Sequence, residues 1–359
     1  MKKSLLFISA FFMSAAASNA QITITSADVA SPVKVIRQAT DTMPTGYTIG
    51  SAGASQTWNM ATLANGGEDT LTFVTASWGP DAASYPSANL AVKQGWQNFY
   101  AYATSNSSTL TIVGTAGNAD FGTGPVQIKQ YNSPGEIIMN FPATYMTTFT
   151  NNFTTTTPAF DAGLSGSGID SVKMKSEVKK TVLVDAWGTL ATPLGTFNVL
   201  RTKETKISHD TTSVLFTGFG WDPFPGTPQT GADSTTSYSW WANGVGFPLV
   251  SITLDSAGAM SQVQWLVVTP TAGINEASAS IDMNLYPNPA QNSITFELDA
   301  EKVSAIGLFD VTGQLVGAQE VKGDKTTVDV SGLANGVYSY ALIGKNKSFM
   351  NRGKFTVAK

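Results

Sequence analysis

The chain contains no cysteine and a single histidine, His209, among its 359 residues. Thiol nucleophiles, disulfide staples, a cysteine-linked lipid anchor and the usual nitrogen and sulfur ligand sets of zinc are therefore excluded. His209 is followed by Asp210, but neighbours on a strand point to opposite faces and cannot act as a triad's base and orienting acid. Charge is also scarce. Lys and Arg number 21 and Asp and Glu 25 over the whole chain. Between residues 21 and 270 sixteen acidic residues face eleven basic ones, a net charge of −5 that argues against a nucleic-acid binder. Past the N-terminus no apolar run approaches the ~20 residues of a membrane-spanning helix, and no amphipathic helical pattern of ordinary length occurs. Nothing points to a cofactor or a metal. The segment Gly117-Asn118-Ala119-Asp120-Phe121-Gly122-Thr123-Gly124 has oxygen donors but lacks the carboxylate density of a calcium loop, so it reads as a connection.

What is abundant is Thr, Ser, Gly and aromatic residues in short alternating runs, the signature of an all-β protein. The first half offers strands at Thr70–Ser77, Gln97–Thr104, Thr109–Gly114, Val126–Tyr131 and Glu136–Asn140. The second half predicts longer antiparallel strands at Val172–Asp185, Thr196–Ser208, Thr235–Ala242, Leu249–Asp255 and Met260–Val268. The expected body is a large antiparallel structure, whether curved sheet, half-barrel or sandwich. In a regular strand Phe197, Val199 and Arg201 share one face and Asn198 and Leu200 the other. With apolar residues on both, both faces should be covered.

The two ends carry addresses. Met1-Lys2-Lys3, the apolar stretch Leu5–Met13 and the small residues Ser18-Asn19-Ala20 read as a signal peptide over 1–20, cut before Gln21. At the other end an entry turn at Leu285-Tyr286-Pro287-Asn288-Pro289 precedes alternating strands. Ile294, Phe296 and Leu298 share a face, Val303–Phe309 supplies the next strand, Asp310–Gly313 makes a hairpin turn, and Gly336–Ile343 pairs with Ser348–Val357. The ordered segments Tyr286-Pro287-Asn288-Pro289, Phe309-Asp310-Val311-Thr312-Gly313-Gln314-Leu315-Val316, Leu333-Ala334-Asn335-Gly336-Val337-Tyr338 and Gly353-Lys354-Phe355-Thr356-Val357-Ala358-Lys359 resemble the type A C-terminal sorting domain of the type IX secretion system. The resemblance implies an immunoglobulin-like β-sandwich over 283–359 after a linker at 271–282. It further implies recognition by the outer-membrane translocon, removal of the tail by a sorting protease, and release or attachment to surface lipopolysaccharide. Tyr286, Pro287, Asn288, Pro289, Asp310, Gly313, Gly336, Tyr338, Lys354 and Lys359 are the motif residues it singles out. The body, 21–270 in one domain or two, is only faintly similar to curved-sheet envelope proteins of the lipoprotein-carrier kind, through Trp187–Arg201, Tyr238–Trp241 and Phe247–Val250.

Three further sets of residues are candidates. Asp185, Glu204, Asp222 and Asp233 could supply a glycosidase pair, although no sequence spacing reveals one. Trp221, Phe224, Trp240 and Trp241 could stack on sugars or apolar ligands, with Trp240 and Trp241 on opposite faces, one in the core and the other exposed. Six triplets of Asp, then Ser or Thr, then a small, aliphatic or Thr residue place acceptor hydroxyls at Thr42, Thr70, Ser171, Thr211, Ser234 and Ser256. They resemble the O-glycosylation sequon of the bacterial phylum that uses type IX secretion, and roughly one or two would arise by chance. Turn chemistry is the competing explanation. The expectation is a secreted or cell-surface, non-enzymatic β-rich protein that binds a protein, glycan or apolar ligand. A glycan-directed hydrolase and an apolar-ligand carrier are the alternatives.

Overall fold

The computed structural model describes residues 21–29, 31–32, 34–42, 44–94, 99–120, 124–223, 232–255, 257–267, 283–311, 315–345 and 349–359. The signal peptide, the linker, Phe224, Ser256 and Gly313 lie outside these residues. The chain is all-β, and among the described residues the only helical elements are single 3₁₀ turns.

The body comprises β1 (Lys34–Asp41), β2 (Gly53–Asn59), β3 (Glu68–Thr75), β4 (Leu90–Gln94), β5 (Phe99–Ser105), β6 (Thr109–Asp120), β7 (Pro125–Asn140), β8 (Thr148–Phe160), β9 (Ile169–Thr192), β10 (Gly195–Phe216), β11 (Gly220–Pro223), β12 (Asp233–Trp241), β13 (Val250–Leu254) and β14 (Met260–Leu266). Twelve of these close into a barrel-like ring. The order runs β10, β12, β13, β14, β1, β3, β4, β5, β6, β7, β8, β9 and back to β10, antiparallel at every step. The sheet thus curls beyond a half-barrel. β2 adds parallel to β9 and β11 antiparallel to β10. The approach of β2 is so close that a Cβ on Gly188 would sit 1.9 Å from the Gln56 carbonyl oxygen, so only glycine fits there.

The hairpin β9–β10 organises the ring because its strands, 24 and 22 residues long, outrun any one neighbour. Along β9 the odd residues from Lys173 to Thr181 are exposed, while Val172, Val178, Lys180 and Val182 are buried. This alternation places one face inward and a charged, Thr-rich face outward, the reverse of a lipid-facing barrel strand. The pattern shifts at one residue. Arg201 pairs Ala186 and Thr202 pairs Val184, so Asp185 is the extra residue of a β-bulge, which re-aims its side chain and tightens the local twist.

Near this bulge both faces are covered, as expected. Val199 and Leu200 are each 1% exposed and belong to different core clusters. Leu200 packs with Ile24, Met139, Val184 and Trp241, and Val199 with Trp58, Leu190 and Trp240. The N-terminal segment and the 44–63 segment provide these covers, and residues 76–89 cover β3 to β6 elsewhere, stacking Tyr85 on Tyr102 at 4.3 Å. Leu200→Ala should therefore cost about 2–5 kcal/mol. Urea melts check this, and a change near zero would show that the site is not packed.

The tail has two sheets sharing one core. β15 (Asn284–Tyr286), β16 (Ser293–Glu297) and β19 (Lys325–Asp329) form one. β17 (Val303–Phe309), β18 (Leu315–Glu320), β20 (Gly336–Gly344) and β21 (Phe349–Val357) form the other, in the order β18, β17, β20, β21. Ile294, Phe296 and Leu298 meet Ile306, Leu308, Leu342 and Phe355 between them. The entry segment differs slightly from expectation. Its first residues form the edge strand β15, where the two prolines that follow interrupt no internal ladder.

Candidate functional site

The four candidate carboxylates do not assemble into a pair. Asp185 is buried and accepts from Arg201, with Nε to Oδ1 at 2.8 Å and Nη2 to Oδ2 at 2.9 Å. Arg201, 1% exposed, also donates to the carbonyls of Ile49, Gly50 (3.3 Å) and Ser51 (3.1 Å). Its guanidinium lies 5.4 Å from the Trp58 ring, 5.0 Å from Tyr238 and 5.9 Å from Trp240. This clamp fixes the covering segment to the ring. Glu204 instead joins an inward cluster in which the buried Lys180 Nζ lies 2.8 Å from Glu204 and 3.1 Å from Glu136, and Lys206 lies 2.8 Å from Glu136. Asp222 and Asp233 are exposed on β11 and at the start of β12.

Burial pushes the Glu136 carboxyl upward, but Lys180 and then Lys206 outweigh it, and the group sits below its ordinary value of 4.5. A depressed carboxylate stabilises the fold above the unfolded pKa and loses that contribution as pH falls through the folded one. The melting temperature of the wild type should therefore drop more steeply than that of Glu136→Gln as pH falls below 4.5. Parallel curves would show that the cluster does not couple to folding.

The aromatic candidates separate. Trp240 and Trp241 do point to opposite faces, but both are buried, at 0% and 7% exposure. The expectation that one is exposed is corrected, because β12 lies under two covers and neither indole can reach a ligand at the surface. Trp221 is 42% exposed and carries the Lys173 ammonium 4.2 Å above its ring. Nearby Phe219 is 92% exposed. His209 is exposed on β10 opposite Glu177.

Of the acceptor hydroxyls, Thr70, Ser171, Thr211 and Ser234 stand in paired strands opposite Arg37, Leu215, Lys175 and Ile207. Followed through the ladders, all four share the outward face of the ring. Turn chemistry thus does not account for them. Thr42 and Ser234 are exposed, and the other three are half-buried.

In the tail the separated motifs converge. Phe309 pairs Ser339 and Gly336 pairs Val357, so the end of β17, the start of β20 and the end of β21 lie at the same end of one sheet. The entry segment reaches that end too. Ala290 bridges Val357, the Asn288 Oδ1 accepts from the Thr356 amide at 2.9 Å, and the Ala290 amide donates to the Thr356 carbonyl at 2.7 Å. Lys359 completes the pole, its amide donating to Asn335 Oδ1 at 2.9 Å and its ammonium to the carbonyls of Ser331 (2.5 Å) and Leu333 (2.6 Å). Ser331, followed by the Lys359 charge, holds the exposed Asp329 carboxyl below its usual range. Tyr286, Pro287, Asn288, Pro289, Val311 and Gly336 are exposed around it. Tyr338 is buried beneath and donates to the Ala334 carbonyl at 2.9 Å.

Residues 284–355 match the family described as the secretion system C-terminal sorting domain. The tail is such a sorting domain. A chain that carries it is exported to the cell surface or secreted, and it engages the type IX secretion machinery. No curated protein matches the chain. Among solved structures the chain is similar to PorZ, an essential bacterial surface component of the type IX secretion system of Porphyromonas gingivalis, at 9% identity and a TM-score of 0.18. That match covers 81% of this chain and 58% of PorZ, and at this score it carries no argument about fold or function. No helix among the described residues is long and apolar enough to cross a membrane.

The pole of the sorting domain includes residues that the motif reading did not single out. Ala290, Ser331 and Thr356 supply the backbone and amide contacts that join the segments, and Asn335 and Leu333 receive Lys359. Such contacts span 24 to 68 positions in sequence, beyond the reach of any local pattern. Lys354, by contrast, is exposed on β21 and makes none of the contacts above.

Proposed function

We propose that the chain is a non-enzymatic surface or secreted protein whose sorting domain is read by the translocon through its assembled pole, and whose body is a binding or structural module. The convergence of four separated motif segments on one exposed end supports the first part, because a surface built by tertiary contacts can be recognised only after the tail has folded. It also fits an immunoglobulin-like arrangement of the two tail sheets, and removal of the tail by a sorting protease once the body is outside. The domain limits follow: signal peptide 1–20, body 21–270, linker 271–282 and sorting domain 283–359.

The second part rests on the fate of the carboxylates. Asp185 and Glu204 are consumed by Arg201 and Lys180, and the inward cluster of Lys180, Glu136, Glu204 and Lys206 gives that part of the ring a charged lining. This disfavours both a glycosidase pair and an apolar-ligand carrier. The outward acceptors favour O-glycosylation, and Thr42 and Ser234 are the ones a transferase can reach most readily.

Body recovered from the medium or cell surface tests these readings together. Its intact mass should exceed the sequence mass, with the excess on peptides holding Thr42 and Ser234, and it should release no reducing ends from polysaccharides. A body at its unmodified mass would remove the glycan reading. Hydrolysis abolished by Asp222→Asn or Asp233→Asn would overturn the non-enzymatic one.

A further inference from the structure

The outward face of β8, β9 and β10 beyond the Asp185 bulge is the broad part of the ring that the covering segments leave bare. The ladders put Thr148, Thr150, Asn152, Thr154 and Thr156 of β8 beside Leu183, Thr181, Lys179, Glu177 and Lys175 of β9, and Lys173 follows on the same face. Lys203, Thr205, Ile207, His209, Thr211 and Ser213 of β10 continue the same face. It thus holds four lysines and one carboxylate, in a body whose net charge is −5. The inward lysines, Lys180 and Lys206, are matched by Glu136 and Glu204. Of the outward four, only Lys175 has an ion-pair partner among the described residues, Glu177 at 2.6 Å.

We propose that this face is a docking surface for an extended anionic polysaccharide. Three observations carry the choice of partner. From Lys173 to the level of Lys203, which pairs with Leu183, the lysines spread over about 33 Å of strand, a length suited to a polymer rather than a small anion. Between them lie Thr, Ser and Asn side chains, donors and acceptors that suit sugar hydroxyls. At one end the half-exposed Trp221 ring, held under Lys173, offers an apolar platform for a sugar ring. The same placement predicts that Thr211, on this face opposite Lys175, stays unmodified although it belongs to an acceptor triplet.

The test uses the full chain expressed without glycans, with immobilised dextran sulfate and polygalacturonate as anionic probes and neutral dextran as the reference. Both anionic polymers should bind, and binding should weaken as salt rises. The triple variant Lys173→Gln, Lys179→Gln, Lys203→Gln should bind about 10-fold more weakly or worse, in line with loss of counterion release at three sites. An unchanged thermal melt is expected, because these side chains lie on the outward face. The tail variant Lys302→Gln, Lys322→Gln, Lys325→Gln should bind as the wild type does. Equal binding to neutral dextran, equal loss in both triple variants, or no binding would overturn the proposal. So would binding through these lysines to acidic vesicles or an acidic protein but not to the polysaccharides, or a glycan on Thr211 in exported material.

Discussion

Deleting residues from Ile274 onward should leave the body folded but stranded in the periplasm, with export lost almost completely. The tail's core is made of its own residues: Ile294, Phe296 and Leu298 from one sheet pack with Ile306, Leu308, Leu342 and Phe355 from the other. The body's ring closes through body strands alone, so no pairing is lost when the tail is removed. Fractionation with a folding probe reads both halves of the expectation, since the periplasmic body should resist proteolysis like the intact protein. A truncated chain outside the cell in normal amounts would remove the sorting reading. A degraded periplasmic body would show instead that the two parts do not fold separately. A finer variant separates address from bulk. Asn288→Ala with Asn335→Ala removes the acceptors for the Thr356 and Lys359 amides while leaving the core intact. It should slow export more than it lowers the melting point.

The all-β class and several strands of the tail were legible because alternation and turn residues are local signals. Val303–Phe309 is a strand over the expected residues, and Gly336–Ile343 differs by one. The body was less legible, for identifiable reasons. β8 is Thr-Phe-Thr-Asn-Asn-Phe-Thr-Thr-Thr-Thr-Pro-Ala-Phe, in which threonine supplies β-propensity and very few apolar residues mark the inner face. The expected strands at Val126–Tyr131 and Glu136–Asn140 are one strand, β7, because the Ser-Pro-Gly between them bends the backbone without ending the pairing. β9 and β10 run past their expected ends, through 186–192 and 209–216, because Gly188 on the first and the polar run His209 to Ser213 on the second hide the alternation. Trp240 and Trp241 were legible in direction but not in burial, since the segments that cover β12, Ile24 and Trp58 among them, are remote from it in sequence. Asp185 offered itself as a free acid for the same reason, as its partner was fixed by a bulge that no pattern announces.

Asp185→Ala should destabilise the body by about 3–5 kcal/mol, the range for removing one partner of a buried ion pair. The loss is large because the Arg201 guanidinium would be left as a buried cation without its counter-charge, at a position 1% exposed. Its remaining partners are the carbonyls of Ile49, Gly50 and Ser51, which carry no net charge to balance it. Those carbonyls also explain where the damage should spread. If Arg201 swings toward solvent, the 47–52 segment loses its tether, and with it Trp58, which donates to the Ile49 carbonyl at 2.7 Å and packs edge-on against Trp240 at 5.7 Å. Hydrogen exchange should therefore rise first in β2 and the 47–52 segment, ahead of global unfolding. The double variant Asp185→Leu, Arg201→Met removes both charges and keeps similar volume, so it should recover much of the lost stability. If the double variant is as unstable as the single one, the carbonyl contacts rather than the charge balance hold the cover in place. If Asp185→Ala melts with the wild type, the clamp contributes nothing to the fold.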